Sequence, residues 1–427
     1  MKKISFLFAA MMFSALGTGF SPLSIGLTQA AEATDQSKQM SVRAEMGKPL
    51  AEIQDLLEKK QYPLALEKIN ALNALDKKTP YELFIIDRMH TVLAAGTNDT
   101  AMLAQSVEAM LTTDFLKPSE KLQFIDVLAG TFYNEKKYPE AITWSKRYLA
   151  LDSQSESMQK LLARAYYLSA DYPNAITTIK AIISGDQQAK RAPTEENLRL
   201  LASCYQHEKN DAGYTEVLDL MVQHHPSREY WGDLLYRVER QAGFADRLRL
   251  DLYRLLLKTN NLDDGAQYVE MSELAMLAGL PAEAKTTVDA GYAANLLGSG
   301  KEAAKHKQLR DRVYKQAADD AKSLDSGEAA AKTAKVGTGL VNIGYNYVIN
   351  GQAEKGIALI EQGIAKGGLK SLNEAKLHLG IAYLQVGDRA KASDSFSSLQ
   401  AGDGASDLAR LWLYLRPAAD AAPAAAK

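Results

Sequence analysis

The phrase KYPEAI at residues 137–142 returns as DYPNAI at 171–176, and its two tyrosines, Tyr138 and Tyr172, stand 34 residues apart. The surrounding letters return in the same register: Leu128, Ala129 and Phe132 precede the first copy, and Leu162, Ala163 and Tyr166 precede the second. Self-similarity at a period of about 20–50 residues constrains a fold more than composition does, because it means one supersecondary unit written repeatedly. A unit of that size cannot bury its apolar face alone, so copies must stack on their neighbours.

The spacing also says what the unit is. Ile125, Leu128, Ala129 and Phe132 fall on one face of a helix, and EAITWSKRYLAL at 140–151 supplies a second amphipathic helix. Pro139 and Pro173 sit where that second helix starts. Proline lacks an N–H that the first helical turn leaves unpaired anyway, and it pushes the preceding residue out of the helical region. Each Tyr-Pro is therefore the corner of a helical hairpin. Ala129 with Ala141, and Ala163 with Ala175, let the two helices approach closely; larger side chains would overpack there, at ~1–3 kcal/mol each.

Further copies follow the same rules. QYPLAL at 61–66 is an earlier corner, and the 76-residue step from Tyr62 to Tyr138 requires the hairpin around Asn98 to carry extra residues or a longer turn. After a polar insertion at 185–193, Leu198, Leu201, Ala202 and Tyr205 form a first helix, with Leu218 and Met221 on the second. Residues 227–260 are helical in pattern but lack the small pair, and the phase resumes where Gly279 supplies a turn and Ala284 a close contact. Two clear units close the series, one with Ile343, Gly344, Tyr347 and Gly356, the other with Leu379, Gly380, Tyr383 and Ala392.

A leucine, a small residue and an aromatic, followed by a later alanine, at a 34-residue period, resembles the tetratricopeptide repeat family. The resemblance covers most of residues 46–416, with Lys376 standing where the family pattern has tryptophan. It implies an all-α chain, an alpha-alpha superhelix or TPR-like solenoid of stacked helical hairpins. It also implies a groove lined by first-helix residues that point away from the small-residue contact: Asp126, Tyr133, Asn134, Lys160, Arg164, Tyr167, Arg199, Gln206 and His207. Lys160 and Arg164 share a helix face. With Arg199 they form a basic patch suited to a carboxylate or an acidic peptide, against the plainer reading of solvated surface charge.

The expected organisation is a signal peptide over 1–30, a flexible segment over 31–45, repeats over 46–300 that are degenerate at 80–118 and 227–260, an Ala/Lys-rich helical insertion or worn repeat over 301–335, repeats with a terminal capping helix over 336–416, and an Ala/Pro tail over 417–427. The signal is read from Lys2 and Lys3, an apolar run from Ile4, and small residues near Ala30 and Ala33. Gly17, Gly19 and Pro22 interrupt that run before the ~20 residues a spanning helix wants. No cysteine follows it to carry a lipid, so the expectation is a periplasmic protein that is not a lipoprotein. Removing Lys2 and Lys3 takes the formal charge from −2 to −4, which argues against general nucleic-acid binding.

Chemistry is scarce in the chain. His224 and His225 are adjacent on a helix and point ~100° apart, which is poor geometry for joint chelation. The single cysteine, Cys204, forbids an internal disulfide and lies on a core-bearing stretch. Gly337, Gly339 and Gly344 follow no strand and precede no Lys-Ser/Thr pair, so they make no phosphate loop. Trp144, Trp231 and Trp412 read as packing residues. No catalytic, cofactor-binding or metal-binding set is read, and the expected role is a non-catalytic scaffold for a protein or peptide partner. The alternatives are a subunit of an envelope export or uptake assembly, possessing membrane partners, or a helical accessory part of a cell-wall enzyme.

Overall fold

The computed structural model describes residues 40–415. The signal peptide expected over 1–30 and the tail over 417–427 lie outside them. The described residues contain twenty α-helices, two short 3-10 turns and no strand. The chain divides into two compact units: unit 1, Met1–Pro193 with Arg199–Asn210, and unit 2, Thr194–Leu198 with Asp211–Lys427.

Unit 1 holds the hairpins α1 (Ala44–Glu58) with α2 (Tyr62–Asn73), α3 (Pro80–Thr97) with α4 (Thr100–Leu111), α5 (Pro118–Asn134) with α6 (Tyr138–Leu151), and α7 (Glu156–Leu168) with α8 (Tyr172–Gln188). Helix α9 (Glu195–His207) is divided between the units. From α1 to α8 each helix packs on the one before it, and a single apolar cluster runs from Met46 through Leu93, Leu128 and Trp144 to Ala165. That continuity is what stacking of repeats requires. The hairpin around Asn98 is closed by that residue itself in a left-handed conformation (φ 56°), and its extra length lies in the 18-residue α3 and in the stretch before Pro118.

Unit 2 contains α10 (Asp211–His224), α11 (Arg228–Glu239), α12 (Arg249–Lys258), the hairpin α13 (Gly265–Leu277) with α14 (Pro281–Ala293), and the long α15 (Ala303–Thr333). The hairpins α16 (Thr338–Ile349) with α17 (Ala353–Lys366) and α18 (Leu372–Gln385) with α19 (Arg389–Ser397) follow, then α20 (Ala405–Tyr414). The Ala/Lys-rich stretch is thus one helix of 31 residues. Its buried stripe, His306, Leu309, Val313, Ala317, Leu324 and Ala331, recurs at intervals of three, four and seven, and packs first on α14 and then on α16.

The hairpin corners share one construction. The first helix ends at a residue of positive φ: Lys60, Lys136 and Ala170 in unit 1, Gly279, Gly351 and Gly387 in unit 2. The next N–H, of Gln61, Lys137, Asp171, Leu280, Gln352 and Asp388, returns to the carbonyl five residues back at 2.8–2.9 Å. This is the Schellman arrangement, which satisfies carbonyls that the helix end leaves over. The second helix begins one residue later, with proline in its first turn at Pro63, Pro139, Pro173 and Pro281.

The small pairs pack as their size dictates. Ala129, Ala141, Ala163 and Ala175 are buried, and glycine takes the same role between α16 and α17. A methyl group on Gly344 would lie 2.7 Å from the carbonyl oxygen of Gly356, so the two backbones touch there. Helix α20 covers α18 and α19, as an end cap should, and also reaches α12. Tyr414 donates to Asp219 at 2.8 Å and Arg410 pairs with it at 3.1 Å, which ties the last helix to α10.

Candidate functional site

On α5, α7 and α9 the apolar stripe is consumed by packing: Phe124, Leu128 and Phe132, then Met158, Leu162 and Tyr166, then Leu201, Ala202 and Tyr205 are all buried. The nine residues that the resemblance to tetratricopeptide repeats implies for a groove lie outside that stripe, and all nine belong to unit 1. Asp126, Asn134, Arg199, Gln206 and His207 are exposed; Tyr133, Lys160, Arg164 and Tyr167 are half-buried.

Two of the nine meet directly. Tyr167 packs edge-on to His207, with ring centroids 5.9 Å apart, and its hydroxyl is bonded to Ser203 at 2.9 Å. His207 lies flat on Tyr172, 4.4 Å away and 2° from parallel, while Tyr167 meets Tyr172 edge-on at 5.8 Å. The preceding repeat has the same edge-on pair, Tyr133 with Tyr138 at 6.0 Å. Tyr138 and Tyr172, the tyrosines of the Tyr-Pro corners, thus belong to this surface as well as to the turn. The sequence reading did not place them there, although the five-residue step from Tyr133 to Tyr138, repeated from Tyr167 to Tyr172, carried the signal.

Lys160 and Arg164 lie one turn apart on α7, with Arg199 on α9. Arg164 and Arg199 each already engage a partner, so the patch is not built of uncommitted cations. Upstream on α3, burial pushes the Asp87 carboxyl up to about 6 and pushes His90 down. Cys204 is buried, and burial raises its thiol to about 11, the behaviour of an unreactive packing residue.

Unit 2 presents a different interior. Arg254 on α12 makes a two-pronged bond to Glu283 on α14, 2.7 Å at each prong, and reaches Asp251 at 2.5 Å. His378 on α18 brings its Nε2 to 3.0 Å from Asp251 and 3.1 Å from Arg254. Tyr345 on α16 stacks on His378 at 4.3 Å, with the guanidinium of Arg254 4.9 Å from its ring centre. Burial by itself would raise the Asp251 carboxyl, but His378 and Arg254 beside it hold it at about 2. Burial likewise opposes the charge on Arg254, and Glu283 with Asp251 more than offsets it. Four helices far apart in sequence are joined by these contacts, none of which the repeat pattern announced.

Among the described residues no group of three or more His, Cys, Asp or Glu side chains is placed to hold a metal ion. No helix among them is long and apolar enough to cross a membrane. No family model matches the chain, and no curated protein does. Among solved structures the chain is similar to Naa15/Naa10 bound to HypK-THB (17% identity, 86% of this chain and 64% of that one, TM-score 0.29). It is similar also to the apo form of the quorum sensor NprR from B. thuringiensis (14%, 86% and 99%, TM-score 0.23) and to yeast Tom70 (13%, 86% and 94%, TM-score 0.21). At such TM-scores the likeness carries no weight on function.

Proposed function

We propose that this chain is a non-catalytic interaction scaffold that holds a protein or extended peptide on the first-helix face of unit 1. One observation carries the reading: three successive helices, α5, α7 and α9, bury the large apolar residues of their packing stripe, yet keep a row of tyrosine, histidine, arginine and lysine side chains half-buried or exposed, with Tyr133 resting on the core by one side. Tyrosine and arginine give large contact area and directional bonds, and both are enriched in protein interfaces. The partner that suits this row is an acidic segment or a chain-terminal carboxylate. The resemblance to tetratricopeptide repeats supports the same role.

The location we propose is the periplasm, supported by the leader-like order of Lys2, Lys3, the apolar run and the small residues after it. Cell fractionation followed by mass measurement of the mature amino terminus checks it; an intact Met1 in the cytoplasmic fraction contradicts it.

The scaffold itself is tested by crosslinking in cells and co-purification, with wild type beside a Lys160→Ala, Arg164→Ala, Arg199→Ala triple variant. The expected result is a defined protein that wild type retains and the variant loses, while helical content stays the same. Stoichiometric recovery of inner- and outer-membrane proteins would instead identify an export or uptake assembly. Equal capture by both proteins removes the patch from the interface.

A further inference from the structure

One charged position of unit 1 changes sign from helix to helix. Eleven residues before the corner N–H groups of Asp99, Lys137, Asp171 and Asn210 stand Arg88 on α3, Asp126 on α5, Lys160 on α7 and Arg199 on α9. The four are equivalent, because each of those N–H groups closes its helix in the same way, on the carbonyl five residues back at 2.9 Å.

Two of the four are taken up within the chain. Arg88 is buried and bonded to Glu120 at 2.9 Å, and Arg199 already engages a partner. Asp126 and Lys160 differ: neither side chain has a hydrogen bond or ion pair among the described residues. They stand on helices that pack directly on one another and are opposite in sign, yet they do not pair with each other. Asp126 is open to solvent, but the protein around it raises its carboxyl, as happens to a charge in a recess with no cation at hand.

Resting on the scaffold reading of this same face, we propose that its partner is an extended segment carrying a basic and an acidic residue three positions apart, the basic one on Asp126 and the acidic one on Lys160. Spacing decides the three. Neighbouring packed helices have axes ~8–10 Å apart. A polyproline-type extended chain has three residues per turn and rises ~3.1 Å at each, so side chains at i and i+3 leave the same side ~9 Å apart. A β-strand puts same-side residues at ~7 Å or ~13 Å, and neither matches. The carboxylate that suits Lys160 therefore has a cation two residues removed from it in the partner's chain. A wholly acidic segment would instead set a like charge against Asp126, and like charges brought together select against a partner.

The test uses the full chain at low salt and reads fluorescence anisotropy of two labelled peptides with blocked ends, Pro-Pro-Lys-Pro-Pro-Glu-Pro-Pro and Pro-Pro-Glu-Pro-Pro-Glu-Pro-Pro, in which proline fixes the extended form. Wild type should bind the mixed peptide about fivefold more tightly than the acidic one, the size of one exposed ion pair. Asp126→Lys, at an exposed position where helical content should be unchanged by circular dichroism, should reverse that preference. Lys160→Ala should weaken both peptides. Shortening the spacer between Lys and Glu to a single proline should remove the advantage of the mixed peptide. Crosslinking in cells separates this from the scaffold reading: a partner that wild type retains should be lost by Asp126→Lys. The mixed-charge partner is overturned, with the scaffold left standing, if that partner is retained equally by both proteins, if wild type binds the two peptides equally or binds neither, or if Asp126→Lys leaves the preference unchanged. Recovery of no partner by wild type overturns both.

Discussion

Helix α7 of unit 1 and helices α16 and α18 of unit 2 are the same element in the repeat register, and they have opposite fates. Counting from the small residue, the position three before it is Lys160 on α7, half-buried, but Val341 on α16 and Leu377 on α18, which are 6% and 0% exposed. The position one after it is Arg164 on α7, half-buried, but Tyr345 and Ile381 in unit 2, each 2% exposed. The repeat thus specifies a hairpin and leaves its outward face undetermined. Where that face is polar and aromatic it stays half-buried or exposed. Where it is apolar the chain covers it itself: α16 and α18 lie against α12 and α14, and the few charges trapped between them must neutralise one another.

The largest effect should come from breaking that neutralisation. Replacing Arg254 by Met leaves Asp251 and Glu283 buried without their cation, and a loss of about 3–5 kcal/mol is expected in urea unfolding. Lys160→Met in unit 1, where the charge is only half-buried, should change stability by less than about 1 kcal/mol. Equal costs for the two substitutions would erase the distinction between the faces.

Next is the hairpin contact. Gly344→Ala drives a methyl group into the Gly356 carbonyl and should cost about 1–3 kcal/mol. Gly130→Ala, on α5, meets no atom within 4 Å of the new carbon and should be neutral or slightly stabilising, since alanine favours helix. Thermal unfolding of the two variants compares them directly.

The corners give a smaller effect, of opposite sign in the two units. Ala170 holds φ 61°, a conformation that costs a side-chain-bearing residue about 1–2 kcal/mol, so Ala170→Gly should stabilise unit 1 by about 1 kcal/mol or less, after the flexibility that glycine adds to the unfolded chain. Gly387→Ala, at φ 79° in the equivalent corner of unit 2, should destabilise by a similar amount.

The smallest is a pH effect confined to unit 1. Burial raises the Asp87 carboxyl to about 6, above its unfolded value near 4, so the folded state holds a proton that the unfolded state releases in between. Folding is therefore opposed increasingly as pH rises from about 4 to about 6, and by a constant amount above that. Asp87→Asn should remove the penalty: more stable than wild type at pH 7.5, by about 1 kcal/mol once partial exposure is allowed for, and equal to it at pH 4. Asp251 works the other way, since its carboxyl is held at about 2. Its contribution is complete above about 4 and lost as pH falls toward 2.

Much of this fold is readable in the sequence because its rules are local. The prolines after Tyr62, Tyr138 and Tyr172, the paired alanines and glycines, and the turn at Gly279 each act within a few residues, and the helices start, end and approach where those residues require. The interior of unit 2 is not local. His378 and Asp251 are separated by 127 residues, and Asp251 lies in the stretch whose register had degenerated. A signal was nevertheless present. LVNIGYNYVI and LHLGIAYL are apolar nearly all round, the mark of a helix buried on every side, and they contrast with the one-sided pattern of QKLLARAYYL. For the unit 1 face, the nine positions are those that the resemblance to tetratricopeptide repeats implies; the aromatic cluster around Tyr172 depends on how the helix ends meet.

The most direct test of the account is a photocrosslinking residue placed in cells at one register position in each unit, four residues after the small residue: Tyr167 on α7 and Leu384 on α18. The account predicts a discrete partner adduct from position 167 that disappears when Lys160, Arg164 and Arg199 are replaced by Ala, and no such adduct from position 384. The same adduct from both positions, or adducts from 384 alone, would contradict it.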